Sequence, residues 1–381
     1  MTSTVINSNH LATLIKEKFP KILIVVGGPH ITALPSISLK EFPCFDIAVI
    51  GEGEETMLEI CQHRKNNIKF KGIKGIAHRR KNKIIIEKTR PLISNLDILP
   101  FPARQLVDMK LYKGFTIMTT RGCPYNCIFC AGHLNYHNRI RFRSSQNVIK
   151  EIKECIKKYN AKHFMIMDDT FTLNKKLVYE ICDGLKRLNV SWFCNTRVNT
   201  INKELLNKIA ESGCTRISFG VESGSSRILK LIKKGITVEQ VKEAFRLAHK
   251  SRIKFVDATY IVGSHPTETM EDIKMTINLI NETKPDRISV SIIVPFPGTE
   301  LYEIMRKEGY LRSRNWNSFV IFGKTPTWRT KNFSSNGLVK IQKMILRRFY
   351  LNPHFIYIHI KNIRNFKQFL ASVIFSKKII K

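Results

Sequence analysis

The sequence predicts an α/β fold in which an open or partial barrel of six strand–helix units follows a smaller α/β segment. Three observations carry this. From about residue 112 onward, short β-rich runs alternate with stretches of helical period six times in succession, the pattern of parallel strands joined by right-handed crossovers. Hydrophobic residues make up 43% and charged residues 25% of 381, ordinary globular values that exclude wholesale disorder and collagen-like repeats. No apolar run approaches the ~18–20 residues of a membrane-spanning helix, and the strongest, Ile22 to Val26, is strand-sized.

In chain order, a helix over Leu11 to Lys18 leads into the strand Ile22 to Val26 and the loop Gly27-Gly28-Pro29-His30. A second strand, Asp46 to Ile50, is followed by Gly51-Glu52-Gly53 and a helix over Glu54 to His63. Two parallel strands cannot make a covered sheet alone, so this reads as half a domain. Gly75 to Thr89 reads as a hairpin turning near Lys81-Asn82, followed by the Pro-containing connector Asp97 to Ala103. The repeating array then begins with the strand Gly114 to Thr119, a cysteine loop and a helix over Gln146 to Tyr159. Its later strands are His163 to Met167, Ser191 to Cys194, Arg216 to Phe219, Phe255 to Ile261 and Arg287 to Ile293. The helices between and after them are Lys175 to Leu188, Lys203 to Ser212, Ser225 to Ile232 with Val238 to Lys250, Met270 to Glu282, and Glu300 to Lys307. Six units suit a partial (βα)6 barrel, with function on the loops at the strand C-termini. The division expected is residues 1–72, a hairpin and linker over 73–111, the array over 112–323, and a basic helical region over 324–381.

Lys and Arg number 64 against 30 Asp and Glu, a net charge of +34. The excess is uneven. Gln62 to Arg90 holds 11 Lys and Arg against Glu87 alone, and after Glu308 there are 15 Lys and Arg and no acid, so these segments carry 25 of the 34 charges. A phosphate-rich or anionic-membrane partner would use such charge, but the many Lys, Asn and Ile residues favour a compositional habit. In the tail, Ile356, Ile360, Ile363, Phe366, Phe369, Leu370 and Val373 fall near helical spacing, with Lys361, Arg364 and Lys367 off that side. Such a helix either lies on an anionic membrane or packs against its own domain. Met1 to Asn9 is polar and holds no Lys or Arg, so no secretory signal and a cytoplasmic location are expected.

Nine cysteines in such a chain do not suggest a disulfide framework. Cys44, Cys61, Cys155, Cys182, Cys194 and Cys214 are scattered and read as small buried hydrophobes. Cys123, Cys127 and Cys130 differ, lying within eight residues on a loop that leaves a strand. A zinc site usually takes four ligands, and no fourth stands at matching spacing. Three thiolates suit three irons of a cubane cluster and leave the fourth iron open to chelate a small molecule.

Cys-x-x-x-Cys-x-x-Cys after the first strand of a six-unit array resembles the radical S-adenosylmethionine superfamily over roughly Tyr112 to Gly323. The resemblance implies a 4Fe–4S cluster on the three cysteines and S-adenosylmethionine on its open iron. It also implies an external electron donor such as flavodoxin or ferredoxin, and a 5′-deoxyadenosyl radical that attacks a small-molecule substrate. Phe129 then resembles the aromatic that contacts adenine. Asp168 and Asp169 end the second strand, where the family receives the methionine amine, and Glu222 in Ser218-Phe219-Gly220-Val221-Glu222-Ser223-Gly224 resembles the acid that meets the ribose. Arg197 in Asn195-Thr196-Arg197-Val198-Asn199 is left open between cofactor and substrate. Ile261 to Thr269 and Pro295-Phe296-Pro297-Gly298-Thr299 match further segments, whose glycines and prolines also serve as loop punctuation.

Upstream, Val26 to Pro35 followed by Val49 to Glu54 resembles the C-terminal half of the Rossmann-like cobalamin-binding domain that precedes many such enzymes, as in anaerobic magnesium-protoporphyrin IX monomethyl ester cyclase-like proteins. Gly27 and Gly28 would let backbone approach the cobalamin tail. That family's axial-ligand motif, Asp-x-His-x-x-Gly, belongs upstream of these residues, and no Asp-x-His occurs in the sequence. The expectation is a truncated or degenerate cobalamin domain, with His30 structural. Methyl transfer or radical cyclisation or rearrangement is the reaction implied. The alternatives are a tRNA methylthiotransferase-like enzyme, which needs a different N-terminal domain, and a basic nucleic-acid- or membrane-associated protein with a structural metal.

Overall fold

The computed structural model describes residues 2–81, 83–112, 114–311, 315–320, 325–353 and 355. They form two units. One gathers the described residues of Met1–Leu96, Gly122–Arg141 and Val294–Trp328; the other gathers Asp97–Arg121, Phe142–Ile293 and those from Arg329 onward.

The first unit opens with α1 (Val5–Lys18), β1 (Val25–Val26), α2 (Pro29–Ala33), α3 (Pro35–Glu41), β2 (Ile47–Val49), α4 (Glu54–Lys65), β3 (Ile76–Arg80) and β4 (Lys83–Ile86). Pro29 and Pro35 occupy first-turn positions, where a missing N–H costs nothing. They start two short helices, the first of which begins within the expected loop Gly27-Gly28-Pro29-His30. The hairpin does not stand apart: β3 pairs antiparallel with β2, Val49 opposite Ile76, and gives a four-stranded sheet of order β1-β2-β3-β4. The two parallel strands therefore gain partners, around a core of Ile47, Val49, Ile60, Ile73 and Ile76. Also in this unit are α5 (Gly132–Tyr136) and α12 (Glu300–Lys307).

The second unit is built on β5 (Phe115–Ile117), β8 (His163–Ile166), β9 (Ser191–Thr196), β10 (Cys214–Glu222), β11 (Phe255–Val262) and β12 (Arg287–Ile292). Two-residue strands, β6 (Thr120–Arg121) and β7 (Arg141–Phe142), flank the cysteine segment in sequence. These six strands are parallel and ordered β12-β11-β10-β9-β8-β5, so each lies beside the next of the six in the chain. This is the array the alternation predicted. Its connecting helices are α6 (Ser145–Tyr159), α7 (Lys175–Leu188), α8 (Lys203–Glu211), α9 (Ser226–Leu231), α10 (Val238–Lys250) and α11 (Met270–Thr283).

Polar N-caps start these helices where the apolar period begins: Ser144, Asn174 and Asn202 each accept from a first-turn N–H, and Thr237–Gln240 and Thr269–Asp272 form capping boxes. One sheet face is apolar and covered. Phe219 meets Phe245 of α10 at 5.2 Å, and Trp192 meets Phe171 edge-on at 5.5 Å. The edge strand β12 is capped by α13 (Ser335–Tyr350): Gln342 donates to the Val290 carbonyl at 2.7 Å, and the Tyr350 hydroxyl donates to the Ile288 carbonyl at 2.8 Å. These contacts occupy backbone groups that an open edge would expose.

The amphipathic run from Ile356 lies outside the described residues. Among those described, no helix is long and apolar enough to cross a membrane. Cys155, Cys182, Cys194 and Cys214 are buried, and burial pushes the Cys155 and Cys182 thiols up to about 11 and about 12. The expectation of burial fails at Cys61, which is exposed. It follows buried Ile60 on α4 by one residue, about 100° round the helix and away from the core. Cys44 is half-buried, 3.5 Å from the Thr13 hydroxyl.

Candidate functional site: the cysteine loop and the strand-end carboxylates

The cysteine loop is entered through Gly122, at φ +93, where a Cβ would run into the carbonyl of Arg139. Only glycine fits there. Cys127 is buried and Cys123 and Cys130 are half-buried. The Cys130 N–H closes a turn onto the Cys127 carbonyl at 3.0 Å, and the Gly132 N–H points at Cys130 Sγ at 3.4 Å. Ile128, buried, anchors the loop, its carbonyl accepting from Leu301 N–H of α12 at 2.9 Å. Phe129 stands beside Cys130 at intermediate exposure.

Among the described residues, no three His, Cys, Asp or Glu side chains converge on a point as ligands of one metal ion. A cubane has its irons at separate corners, each taking one thiolate, so three spaced sulfurs with a backbone N–H directed at one of them suit it. The donor set fits a 4Fe–4S cluster.

The loop is tied to the N-terminal half-domain. Glu52, in the Gly51-Glu52-Gly53 motif, pairs with Arg141 at 2.7 Å and accepts from Ile93 N–H at 2.9 Å. Gly28 has φ +97 with open space where a Cβ would stand. Gly27 and His30 line a cavity of about 230 Å³ with Val26, Ile31, Phe45 and residues of the α1 region. His30 is structural in its contacts: Nδ1 meets the Thr2 hydroxyl at 3.2 Å and the ring sits edge-on to Trp316 at 5.0 Å. Burial lowers its pKa to about 4 and keeps it neutral. The glycine loop is open to a ligand, but the residues present supply no Asp-x-His to a cobalt ion.

In the second unit, the carboxylates sit at strand C-termini. Asp168, just past β8, is 2% exposed, and both its oxygens are engaged: Oδ1 accepts from Thr119 N–H at 2.7 Å and Thr120 N–H at 3.1 Å, and Oδ2 from the Thr119 hydroxyl. Burial nevertheless pushes its pKa up to about 6. Asp169, next to it, is exposed.

Glu222 ends β10 after a bulge and takes φ +71, a conformation non-glycine residues rarely hold. It is 8% exposed, and its Oε1 accepts from Lys234 Nζ at 2.6 Å, with Lys234 itself 5% exposed. Gly220 makes room for the pair, since a Cβ there would stand 2.9 Å from Glu222 Oε1 and 3.0 Å from Lys234 Nζ. Arg197 donates to the Lys234 carbonyl, and Asn199 Nδ2 donates to the Gly235 carbonyl at 3.3 Å. Thus Arg197 and Asn199 hold the segment that delivers the ammonium to Glu222. Gly224 lies against α11, where a Cβ would come within 2.6 Å of Thr276 Cα, and the Ser225 hydroxyl donates to Asp272 at 2.6 Å.

Ile261 and Val262 end β11, and the segment from Gly263 to Thr269 is a turn closed by Glu268, which accepts from Gly263 N–H at 2.5 Å and the Ser264 hydroxyl at 3.2 Å, and which burial pushes up to about 8. Lys234 and Asp272 escaped the sequence reading. The one local signal was Lys233-Lys234-Gly235 directly after a short helix.

Residues 117–280 match the radical SAM superfamily and residues 1–61 the B12 binding domain. An uncharacterized methyltransferase of Pyrococcus horikoshii is 35% identical over 92% of this chain and 77% of its own length. The chain belongs to the radical S-adenosylmethionine superfamily. It is also 28% identical to the anaerobic magnesium-protoporphyrin IX monomethyl ester cyclase of Cereibacter sphaeroides, over 88% of this chain and 56% of that one. In fold it resembles the cobalamin-dependent S-adenosylmethionine radical enzyme OxsB, solved with aqua-cobalamin and S-adenosylmethionine bound, at a TM-score of 0.72 and 18% identity over 99% of this chain and 60% of that one. The chain thus spans about three fifths of the length of these last two proteins.

Proposed function

We propose that this chain cleaves S-adenosylmethionine reductively to a 5′-deoxyadenosyl radical and directs it to methyl transfer, cyclisation or rearrangement of a small molecule. The cysteine triad carries the reading, because it supplies three thiolates and leaves one iron of a cubane free of protein. When bound, the cluster supplies the single electron that breaks the sulfonium C–S bond. Cys123, Cys127 and Cys130 hold it, with Gly132 N–H moderating charge on Cys130. Glu222, paired with Lys234, accepts from the ribose hydroxyls. Asp169 is the exposed carboxylate for the methionine ammonium, Asp168 fixes Thr119 and Thr120, and Phe129 covers the adenine.

A flavodoxin- or ferredoxin-like donor supplies the electron, and the glycine loop at Gly27 and Gly28 is where cobalamin would approach. Anaerobic reconstitution tests the assignment. About four irons and four sulfides per chain are expected, falling in each of Cys123→Ala, Cys127→Ala and Cys130→Ala. Full iron and sulfide in all three variants would remove the reading.

A further inference from the structure

The sheet face opposite α7, α8, α10 and α11 carries polar side chains that the described chain does not engage. Side chains alternate along each strand, and the parallel registers let rows be followed across the sheet. Phe193, Arg216 and Phe255 stand opposite one another in one row, and Ser218, Asp257 and Arg287 in the next. Thr259 and Ser289 follow toward the strand C-termini. Ser218, Thr259 and Ser289 make no side-chain hydrogen bond within the described chain, although Ser218 is only 8% exposed.

Two arginines stand at the N-terminal end of this face. The Arg216 guanidinium lies 4.1 Å from the Phe193 ring centroid and that of Arg287 4.5 Å from Phe255, with Lys254 Nζ 5.1 Å from the same ring. Stacking fixes their planes. Among the described residues their hydrogen-bonding capacity is largely unspent: the one close ion contact is Arg216 Nε to Asp257 Oδ2 at 3.4 Å, and neither Arg216 Nε nor Asp257 Oδ1 has a hydrogen-bond partner there. The neighbouring Asp286 carboxylate is committed to Val256 N–H at 2.7 Å. An ion-pair lock would be short and bidentate. This arrangement is neither, and it offers oriented cations to a further oxyanion.

We propose that Arg216 and Arg287 receive a carboxylate or phosphate group of the substrate, and that Ser218, Thr259 and Ser289 bind its polar middle. The proposal rests on the enzyme reading above. Arg216 and Glu222 are six residues apart on β10, about 20 Å along a strand, so the substrate class is an elongated, hydrogen-bonding molecule with an acidic end.

Calorimetric titration of the full reconstituted chain with inorganic pyrophosphate, and separately with citrate, at fixed ionic strength tests this. Saturable binding of either is expected, roughly tenfold weaker in Arg216→Gln and in Arg287→Gln and unchanged in Lys81→Gln, a basic residue of the other unit. Pyrophosphate alone assigns a phosphate, and citrate alone a carboxylate. Absence of saturable binding, full binding by both arginine variants, or an equal loss in Lys81→Gln overturns the proposal. Arg287 is exposed and makes no hydrogen bond within the described residues, so its variant keeps the fold if Arg216→Gln does not. Cleavage of S-adenosylmethionine by the unsubstituted chain is scored separately, which tells failure of the subsite from failure of the enzyme reading.

Discussion

At Gly122 a single added methyl group would meet backbone, which cannot move aside as a flexible side chain can. Gly122→Ala is expected to cost about 1–3 kcal/mol and to lower iron uptake, read as the urea midpoint and iron per chain; normal values for both would contradict the geometry. Asp168 makes a pH prediction. Its folded pKa, near 6, lies above the ordinary 3.8, so its contribution to stability is complete below about pH 4 and lost as pH rises through 6. Asp168→Asn keeps an oxygen for Thr119 and Thr120 N–H and removes the titration. Between pH 4 and 6 the wild type should therefore lose stability relative to the variant, on the order of 3 kcal/mol, in urea denaturation at each pH. Parallel pH profiles would contradict this. At the residue scale the cysteines were legible because their spacing is chemistry in itself. The different surroundings of Asp168 and Asp169 were not, because adjacent identical residues carry no mark of which one turns inward.

The loop after β10 is fixed by elements distant in sequence. Lys234 returns twelve residues after Glu222, and α11 arrives some fifty residues later to meet Gly224 and Ser225. Lys234→Met leaves the Glu222 carboxylate buried without its partner and is expected to cost about 3–5 kcal/mol. The double variant with Glu222→Gln should recover much of that in urea denaturation, and no recovery would argue against a direct pairing. Ser225→Ala removes the N-cap of α9 and the bond to Asp272 and should cost about 1 kcal/mol. The helices themselves were legible: Lys175–Leu188, Val238–Lys250 and Glu300–Lys307 begin and end where their apolar period does. The pairing of the β3–β4 hairpin with β2 was not, because Gly75 to Thr89 forms a self-sufficient hairpin pattern that does not specify its next neighbour.

For the chain as a whole, six short strands each followed by a capped helix made a sequential parallel sheet readable in advance. The division into units was less readable, since Gly122–Arg141 and Val294–Trp328 group with the N-terminal segment through contacts such as Glu52 with Arg141 and Glu41 with Trp316 that no local pattern announces. The charge of +34 says little about the chemistry, as the carboxylates at the strand ends are held by individual bonds. The most direct test of the account is anaerobic incubation of the reconstituted chain with S-adenosylmethionine and dithionite, measuring 5′-deoxyadenosine and methionine. The wild type should form both and Cys127→Ala neither. Equal cleavage by Cys127→Ala would contradict the assignment of a cluster on Cys123, Cys127 and Cys130 as the source of the electron.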